Sequence, residues 1–260
     1  MPYSDELART LIYPLAAAAF AQNPQDLQQC VTNICQVRAS RAAISCRHAG
    51  CLQGVQVKGV SVDCELDSTC VAFTGVCPAQ KAIVISFRGS NSDFQVTEEG
   101  GLKQNFLALK AQYPNYQLWV TGHSLGAALA SLCASTIVST GLFAGSNTVL
   151  MTFGQPRTGD ADYAAAVDRL LPTRYRVTHA HDIVPHLPPE TIFDYVHHGH
   201  EVWYNNNMTL GEPFIECDAE DESKKCSDGQ IDLQSADHTL YFNVQVGDWG
   251  RAGCPKLTTK

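Results

Sequence analysis

Basic residues are scarce in this chain. Its 260 residues include 18 Lys and Arg against 26 Asp and Glu, which gives a formal net charge of −8 at pH 7. Nucleic-acid binding needs a basic surface that contacts phosphates, and an anionic membrane surface repels a negatively charged protein. The composition therefore argues against nucleic acid as a partner and against a strong electrostatic membrane anchor.

Long apolar runs, internal repeats and Pro/Gly-rich linkers are missing as well. No stretch reaches the length of about 20 apolar residues that a transmembrane helix needs. The hydrophobic content of 45% is nevertheless enough for a substantial core. We therefore expect a single domain over residues 1–260, with a cysteine-rich N-terminal region over about residues 1–80.

The N-terminal stretch LIYPLAAAAFAQ, residues 11–22, looks like the apolar region and cleavage site of a signal peptide. A signal peptide begins with basic residues, whereas here Asp5 and Glu6 precede the stretch with a single Arg9. We expect a folded helix of the mature chain, from which any secretory signal has been removed.

Eleven cysteines are too many for an ordinary cytosolic protein of this length, so we expect an oxidising, extracellular location. Seven of them lie between Cys30 and Cys77. The spacings Cys30/Cys35 and Cys46/Cys51 also allow zinc, but no regularly spaced histidine follows them. Disulfides are the favoured interpretation, and the sequon at Asn207 is consistent with secretion.

The remaining cysteines fall into two groups. Cys133 lies in an Ala-rich stretch, where we expect a free thiol that acts as a small core residue. Cys217, Cys226 and Cys254 are expected to staple the C-terminal third of the chain. The sequence leaves the disulfide partners open.

Strand-like and helix-like segments alternate through the middle of the chain, which predicts an α/β fold with a mostly parallel sheet covered by helices. The apolar and β-branched runs are KAIVISF, YQLWVTG, TVLMTFG and RYRVTHA, and the helical patterns between them include LKQNFLALKAQ and DADYAAAVDRLL. In such sheets the chemistry gathers at the carboxyl ends of the strands.

The stretch LWVTGHSLGAALASLCA, residues 118–134, changes from strand-like to helix-like at Ser124. Gly122 and Gly126 flank this serine and permit a sharp turn, which leaves the hydroxyl projecting at its tip. The Gly-x-Ser-x-Gly pattern alone is weak, but its position between a strand and a helix is typical of a nucleophile elbow.

A serine nucleophile needs a base, and the base needs an acid that orients it. Asp182 follows a predicted strand, and His238 lies further along the chain, in the order found in α/β hydrolases. A capping aspartate and an ordinary surface or core histidine are the alternatives to these two roles.

Five groups of motifs occur in a fixed order along the chain: VISFRGS; VTGHSLGAALAS; FGQPRTGD; HDIVPHLPP with HHGHEVWY; and DHTLYF. Together they resemble the fungal-type class 3 lipase family, and the cysteine-rich ends resemble its secreted nematode members. The resemblance runs from about Lys81 to the C-terminus. It implies an α/β-hydrolase fold with disulfide-stapled termini and the hydrolysis of carboxylic esters, above all acylglycerols.

The resemblance also implies the roles of individual residues. Ser124, Asp182 and His238 form the triad, while Ser90 and Leu125 supply the backbone N–H groups of the oxyanion hole. We expect no metal and no organic cofactor, and we interpret Arg88 as structural. The histidines around Asp182 suggest a metal site, but they lie inside the motifs that carry the resemblance. The acidic run DAEDES suggests calcium, but it lacks the spacing of a calcium loop, so a solvated disulfide loop is favoured.

One segment departs from the family pattern. Ser124 follows Ser90 by 34 positions, so the lid region, about residues 91–105, is shortened. A lid normally covers the acyl groove and opens at a lipid surface, with which we expect only transient contact. The shortening therefore favours, as alternatives, a lidless esterase of more soluble esters or a catalytically impaired lipid-binding protein. A phospholipase A1-like enzyme that uses the same catalytic residues is a further alternative. The oligomeric state has no signature in the sequence.

Overall fold

An eight-stranded mixed sheet forms the centre of the molecule. The computed structural model describes residues 1–36, 55–64, 68–89, 101–190, 194–217 and 222–255, without the side chains of 61–64 and 68–70. The strands lie side by side in chain order: β1 Val57–Cys64, β2 Ser68–Cys77, β3 Ala82–Phe87, β4 Gln117–His123, β5 Thr148–Phe153, β6 Thr173–His179, β7 Glu201–Tyr204 and β8 Ile215–Cys217. Strands β3 to β7 are parallel, and the outer strands pair antiparallel. The predicted, mostly parallel sheet is confirmed.

Three crossover helices cover one face of this sheet. Each helix lies between two consecutive strands from β3 to β6, and each matches a predicted helical pattern: Leu102–Gln112, Leu125–Ser139 and Ala161–Leu170. Because right-handed crossovers between strands in sequential order all fall on the same side, these helices share one apolar core with the strands, which includes Ile83, Ile85, Phe106, Leu118, Val120, Ala130, Leu150 and Val167. No helix in the described part of the chain is long and apolar enough to span a membrane.

The two ends of the chain cover the opposite face. The N-terminal part comprises a turn of helix Asp5–Leu7, a π-helical segment Ala8–Ile12 and the helices Tyr13–Ala18 and Pro24–Gln36. The C-terminal part comprises the helices Ala236–Thr239 and Val246–Arg251 and the hairpin of β9 Leu240–Tyr241 and β10 Val244–Gln245. Both parts pack against the sheet in one core cluster. The expectation of a folded N-terminal helix is thus confirmed, because the apolar stretch is buried on the sheet.

Two disulfides fasten the N-terminal helix Pro24–Gln36, one to the C-terminal part and one to the end of β2. Cys30 pairs with Cys254, and Cys35 pairs with Cys77. Cys254 thus staples the end of the C-terminal third, as expected, and its partner, which the sequence left open, lies in the N-terminal helix. The favoured disulfide interpretation of Cys30 and Cys35 is confirmed, and the zinc alternative is ruled out for them, because each sulfur is bonded to a different cysteine.

The remaining cysteines include one local bridge and one free thiol. Cys217 pairs with Cys226 within the C-terminal third, as expected. Cys133 is free, and burial raises the pKa of its thiol to about 12, so it is a neutral core residue as predicted. Cys46 and Cys51 lie outside the described residues, as do the side chains of Cys64 and Cys70.

Candidate active site

Ser124 lies at the tip of a sharp turn between β4 and the helix Leu125–Ser139. Its backbone has φ 60° and ψ −133°, a conformation that L-residues rarely adopt. A Cβ at Gly122 would lie 2.2 Å from the carbonyl oxygen of Gly126, and a Cβ at Gly126 would lie 2.3 Å from that of Phe87. Glycine is therefore required on both sides of the serine for steric reasons, and the predicted strand–turn–helix geometry is present.

Leu125, the residue expected to donate to an oxyanion, begins the helix that follows Ser124. Its N–H is one of the first four of the helix, which have no acceptor within the helix. The partial positive charge of a helix N-terminus adds to this donor capacity. Ser90, the other expected donor, lies outside the described residues, but the preceding Gly89 passes close to the turn: a Cβ on it would lie 3.0 Å from the Cβ of Ser124.

Asp182 and His238 form a hydrogen-bonded pair beyond the carboxyl end of β6. The Nδ1 of His238 lies 3.0 Å from Oδ2 of Asp182, whose side chain is fully buried. Because a carboxylate only accepts, Nδ1 carries the hydrogen, and Nε2 of the neutral ring is left as the acceptor. The backbone N–H of Val184 donates to Oδ1 of Asp182 at 2.9 Å, which orients the carboxylate.

Tyr241 is a further partner of this carboxylate. Its hydroxyl donates to Oδ2 of Asp182 at 2.7 Å and accepts from the N–H of His179 at 3.2 Å. Burial, together with the charge of Asp182, raises the pKa of Tyr241 well above its ordinary value, so the hydroxyl keeps its proton. Asp182 is thus held from three sides in a water-poor environment.

Gly154, directly after β5, makes room for the pair. It has φ +56°, and a Cβ there would lie 2.8 Å from Oδ2 of Asp182 and 3.0 Å from Nδ1 of His238. Any side chain at this position would collide with both partners. Glycine is required here both for the backbone conformation and for the space.

Ser124 and His238 line one cavity of about 330 Å³. The rest of the described lining mixes apolar and polar residues: Phe20, Gly89, His123, Thr239, Gln245, Val246, Gly247, Asp248 and Arg251. The predicted nucleophile and base therefore line the same cavity, and the predicted acid is buried behind the base.

Arg157 braces the loop that follows Asp182. Its buried guanidinium donates to the backbone carbonyls of His186 and Pro188 and pairs with three carboxylates, those of Glu190, Glu222 and Asp228. Burial alone would lower the pKa of Arg157, but the hydrogen bond and charge of Glu222 and the other two carboxylates raise it. Among the described residues, these three carboxylates are the one group close enough to share a metal ion, and the guanidinium of Arg157 pairs with each of them.

The histidines near Asp182, considered above as metal ligands, each contact another part of the protein. The ring of His179 faces two backbone carbonyls, and His181 and His197 face one each. His198 contacts Gln155 and the carbonyl of Gly199, while one ring nitrogen each of His186 and His200 lies near Asp228 and Glu216. The Nε2 of His186 and the Nδ1 of His197 are buried and have no hydrogen-bond partner among the described residues. Of the acidic run, Glu222 pairs with Arg157, and residues 218–221 lie outside the description. Arg88 is buried, and burial lowers its pKa.

Sequence reasoning missed Tyr241 and Gly154 as parts of this site. Both lie in quoted motifs, Tyr241 three positions after His238 in DHTLYF and Gly154 in FGQPRTGD. The presence of an aromatic hydroxyl three positions after the base was an available signal. The need for glycine at position 154 depends on tertiary contacts that no local pattern reveals.

Comparison with known proteins agrees with this architecture. Residues 95–192 match the family described as Lipase (class 3). The chain is 34% identical to Lipase ZK262.3 of Caenorhabditis elegans over 258 aligned residues, covering 77% of this chain and 73% of that protein. It is 30% identical to secreted mono- and diacylglycerol lipase 1 of Fusarium solani, over 69% of this chain and 49% of that one.

The fold is shared with solved fungal structures. The triacylglyceride lipase of Rhizomucor miehei superimposes with a TM-score of 0.67 at 26% identity, over 95% of this chain and 97% of that one. The residues that match the family, 95–192, include the strand–turn–helix at Ser124. The chain belongs to the class 3 lipases, an α/β-hydrolase family of carboxylic ester hydrolases.

Proposed function

We propose that this protein is a secreted serine lipase that hydrolyses acylglycerols, with Ser124 as nucleophile, His238 as base and Asp182 as the orienting acid. The observation that carries the proposal is the buried Asp182–His238 pair, whose base lines the same cavity as Ser124. A base that is oriented by an acid and faces a serine on a strained turn is the arrangement that activates a hydroxyl.

The reaction is a two-step acyl transfer. Nε2 of His238 takes the proton of Ser124 as its oxygen attacks the ester carbonyl, and the same proton then passes to the leaving alcohol. The ester C–O bond breaks, and an acyl-serine remains. Water, deprotonated by His238, attacks this acyl group and releases the carboxylic acid and the free serine. Asp182 stabilises the imidazolium that forms in each step.

The oxyanion of each tetrahedral intermediate is assigned to the N–H of Leu125 and, on the strength of the sequence motif, to Ser90. Support for Leu125 comes from its position at the first turn of the helix, where the N–H groups face developing negative charge. Removing one such donor typically costs about 10²–10³ in kcat. No step in this scheme calls for a metal or an organic cofactor.

The substrate class and the location rest on the relatives and the cysteines. Two relatives are described as lipases of acylglycerols, a secreted mono- and diacylglycerol lipase and a triacylglyceride lipase. The three disulfides in the described part of the chain suit an oxidising, extracellular environment.

The cavity favours a second candidate, an esterase of more soluble esters. Thr239, Gln245, Asp248 and Arg251 make part of its wall polar, whereas long acyl chains require an apolar groove. The predicted lid region, about residues 91–105, lies mostly outside the described residues, and residues 102–105 begin the helix Leu102–Gln112.

The test is hydrolysis of p-nitrophenyl butyrate and of a long-chain triacylglycerol emulsion, with Ser124→Ala as control. The proposal predicts turnover of both esters and its loss in the control. Turnover of butyrate alone would favour the soluble-ester candidate. If the folded protein hydrolyses neither ester, the catalytic proposal is wrong, and a lipid-binding role would then be tested directly.

A further inference from the structure

His123, which fills the first unspecified position of the Gly-x-Ser-x-Gly pattern, precedes the nucleophile and also contacts the residue that carries the base. It is the last residue of β4, and only 2% of its surface is exposed. Its Nε2 lies 2.6 Å from the backbone carbonyl oxygen of His238. Because a carbonyl only accepts, the Nε2 of His123 carries the hydrogen and donates it.

The ring of His123 is fixed in one neutral form. Burial, then the charge of the neighbouring His238, lowers the pKa of His123 to about 3. Its Nδ1 is buried and has no hydrogen-bond partner in the described part of the chain. The two imidazole rings lie 4.5 Å apart at an angle of 31°. The only N–H of the side chain is therefore committed to the backbone of His238.

The turn that carries His238 has little rigidity of its own. The helix Ala236–Thr239 has four residues, and the N–H of His238 reaches the carbonyl of Ser235 at 3.3 Å. On the side of Asp182, this turn is also contacted by His179, whose Nδ1 lies 3.2 Å from the carbonyl of Asp237. His123 contacts the turn from the side of the nucleophile.

We propose that His123 is a positioning residue, whose Nε2–H holds the backbone of His238 at a set distance from Ser124. Because His123 is bonded covalently to Ser124, this one hydrogen bond links the nucleophile strand directly to the base. The inference rests on the proposed roles of Ser124 and His238, and adds a residue that acts only through His238.

The test compares His123→Leu, which approximately keeps the volume, with His123→Gln, whose amide provides a donor. Steady-state kinetics with p-nitrophenyl butyrate are measured beside thermal unfolding. A small misplacement of a catalytic group costs up to about 10²-fold in rate, so we expect His123→Leu to lower kcat by about 10-fold to 100-fold with little change in KM. His123→Gln is expected to restore most of this loss.

His197 provides a matched control. It is buried like His123, its Nε2 lies 2.7 Å from the carbonyl of Pro185, and its Nδ1 has no hydrogen-bond partner in the described part of the chain. His197→Leu removes the same kind of bond at a carbonyl that does not belong to the base. We expect it to lower the melting temperature like His123→Leu, while kcat stays near that of the wild type.

The pH dependence separates positioning from titration of His123 itself. A group with a pKa of about 3 stays neutral throughout the working range, so the ratio of wild-type to His123→Leu kcat is expected to be constant between about pH 5 and pH 9.

Several results would overturn the inference: unchanged kcat in His123→Leu, an equal fall of kcat in His197→Leu, no rescue by glutamine, or a ratio that varies with pH. A different result would overturn the proposed function, namely a Ser124→Ala variant that hydrolyses p-nitrophenyl butyrate as fast as the wild type.

Discussion

Substitution of Gly154 by alanine is expected to separate the acid from the base. The added Cβ would lie 2.8 Å from Oδ2 of Asp182 and 3.0 Å from Nδ1 of His238, whereas ordinary contacts begin at 3.4 Å. The two partners therefore have to move by about 0.4 to 0.6 Å, which is a large fraction of the 1 Å displacement that costs about 10²-fold in rate. We expect kcat to fall by about 10-fold or more.

The same substitution carries a backbone cost that has to be measured separately. Gly154 has φ +56°, and an alanine in this region costs about 1 kcal/mol in any protein. Gly141 has φ +70° and no atom within 4 Å of the Cβ position, so Gly141→Ala carries the backbone cost without the collision. The difference between Gly154→Ala and Gly141→Ala therefore measures the effect of the collision with Asp182 and His238 alone.

The assay is hydrolysis of p-nitrophenyl butyrate under saturating substrate, with urea denaturation of both variants. The expected result is a small loss of stability in Gly141→Ala with normal kcat, and a larger loss in Gly154→Ala with reduced kcat. If the Gly154→Ala variant folds and has the same kcat as Gly141→Ala, the prediction is wrong, because catalysis would then tolerate a displacement of Asp182 and His238.

Three further predictions concern the support of the site. Tyr241→Phe removes a 2.7 Å hydrogen bond to the buried carboxylate of Asp182, and urea denaturation should show a loss of about 1.5–3 kcal/mol; an unchanged midpoint would contradict this. Arg157→Met removes the buried cation that pairs with three carboxylates, so thermal unfolding should show destabilisation of about 3–5 kcal/mol, and unchanged unfolding would contradict this. Replacing Cys30 and Cys254 with alanine opens a 224-residue loop, for which chain entropy predicts about 5 kcal/mol. The melting temperature should then fall by about 9 °C. If it falls no more than after removal of the Cys217–Cys226 disulfide, which closes a loop of only nine residues, the explanation by chain entropy is wrong.

Local patterns were sufficient to predict the central elements. The buried strands read as β-branched runs, and the helices between them as amphipathic or Ala-rich segments, because each crossover packs one face on the sheet. The strand-to-helix switch at Ser124 was visible for the same reason. Alternation of strands and helices also predicted the parallel order, since parallel neighbours need a crossover.

Contacts between distant parts of the chain were not predictable in this way. Cys254 pairs with Cys30 because both termini cover the same face of the sheet, and the sequence does not say which termini meet. The bond from His123 to His238 and the collision at Gly154 likewise depend on where loops meet at the carboxyl edge of the sheet. At this edge, the residue that a position requires depends on contacts between distant loops, which the local periodicity of the sequence does not show.

The central claim is that Ser124 is an activated nucleophile, and covalent labelling tests it most directly. The purified protein is incubated with a fluorophosphonate, and mass spectrometry of its peptides locates the adduct while ester hydrolysis is followed in parallel. We expect one adduct per chain, at Ser124, which forms as activity is lost and which does not form in His238→Ala on the same timescale. A folded, active protein that stays unlabelled at Ser124, or loses activity through an adduct elsewhere, would contradict it.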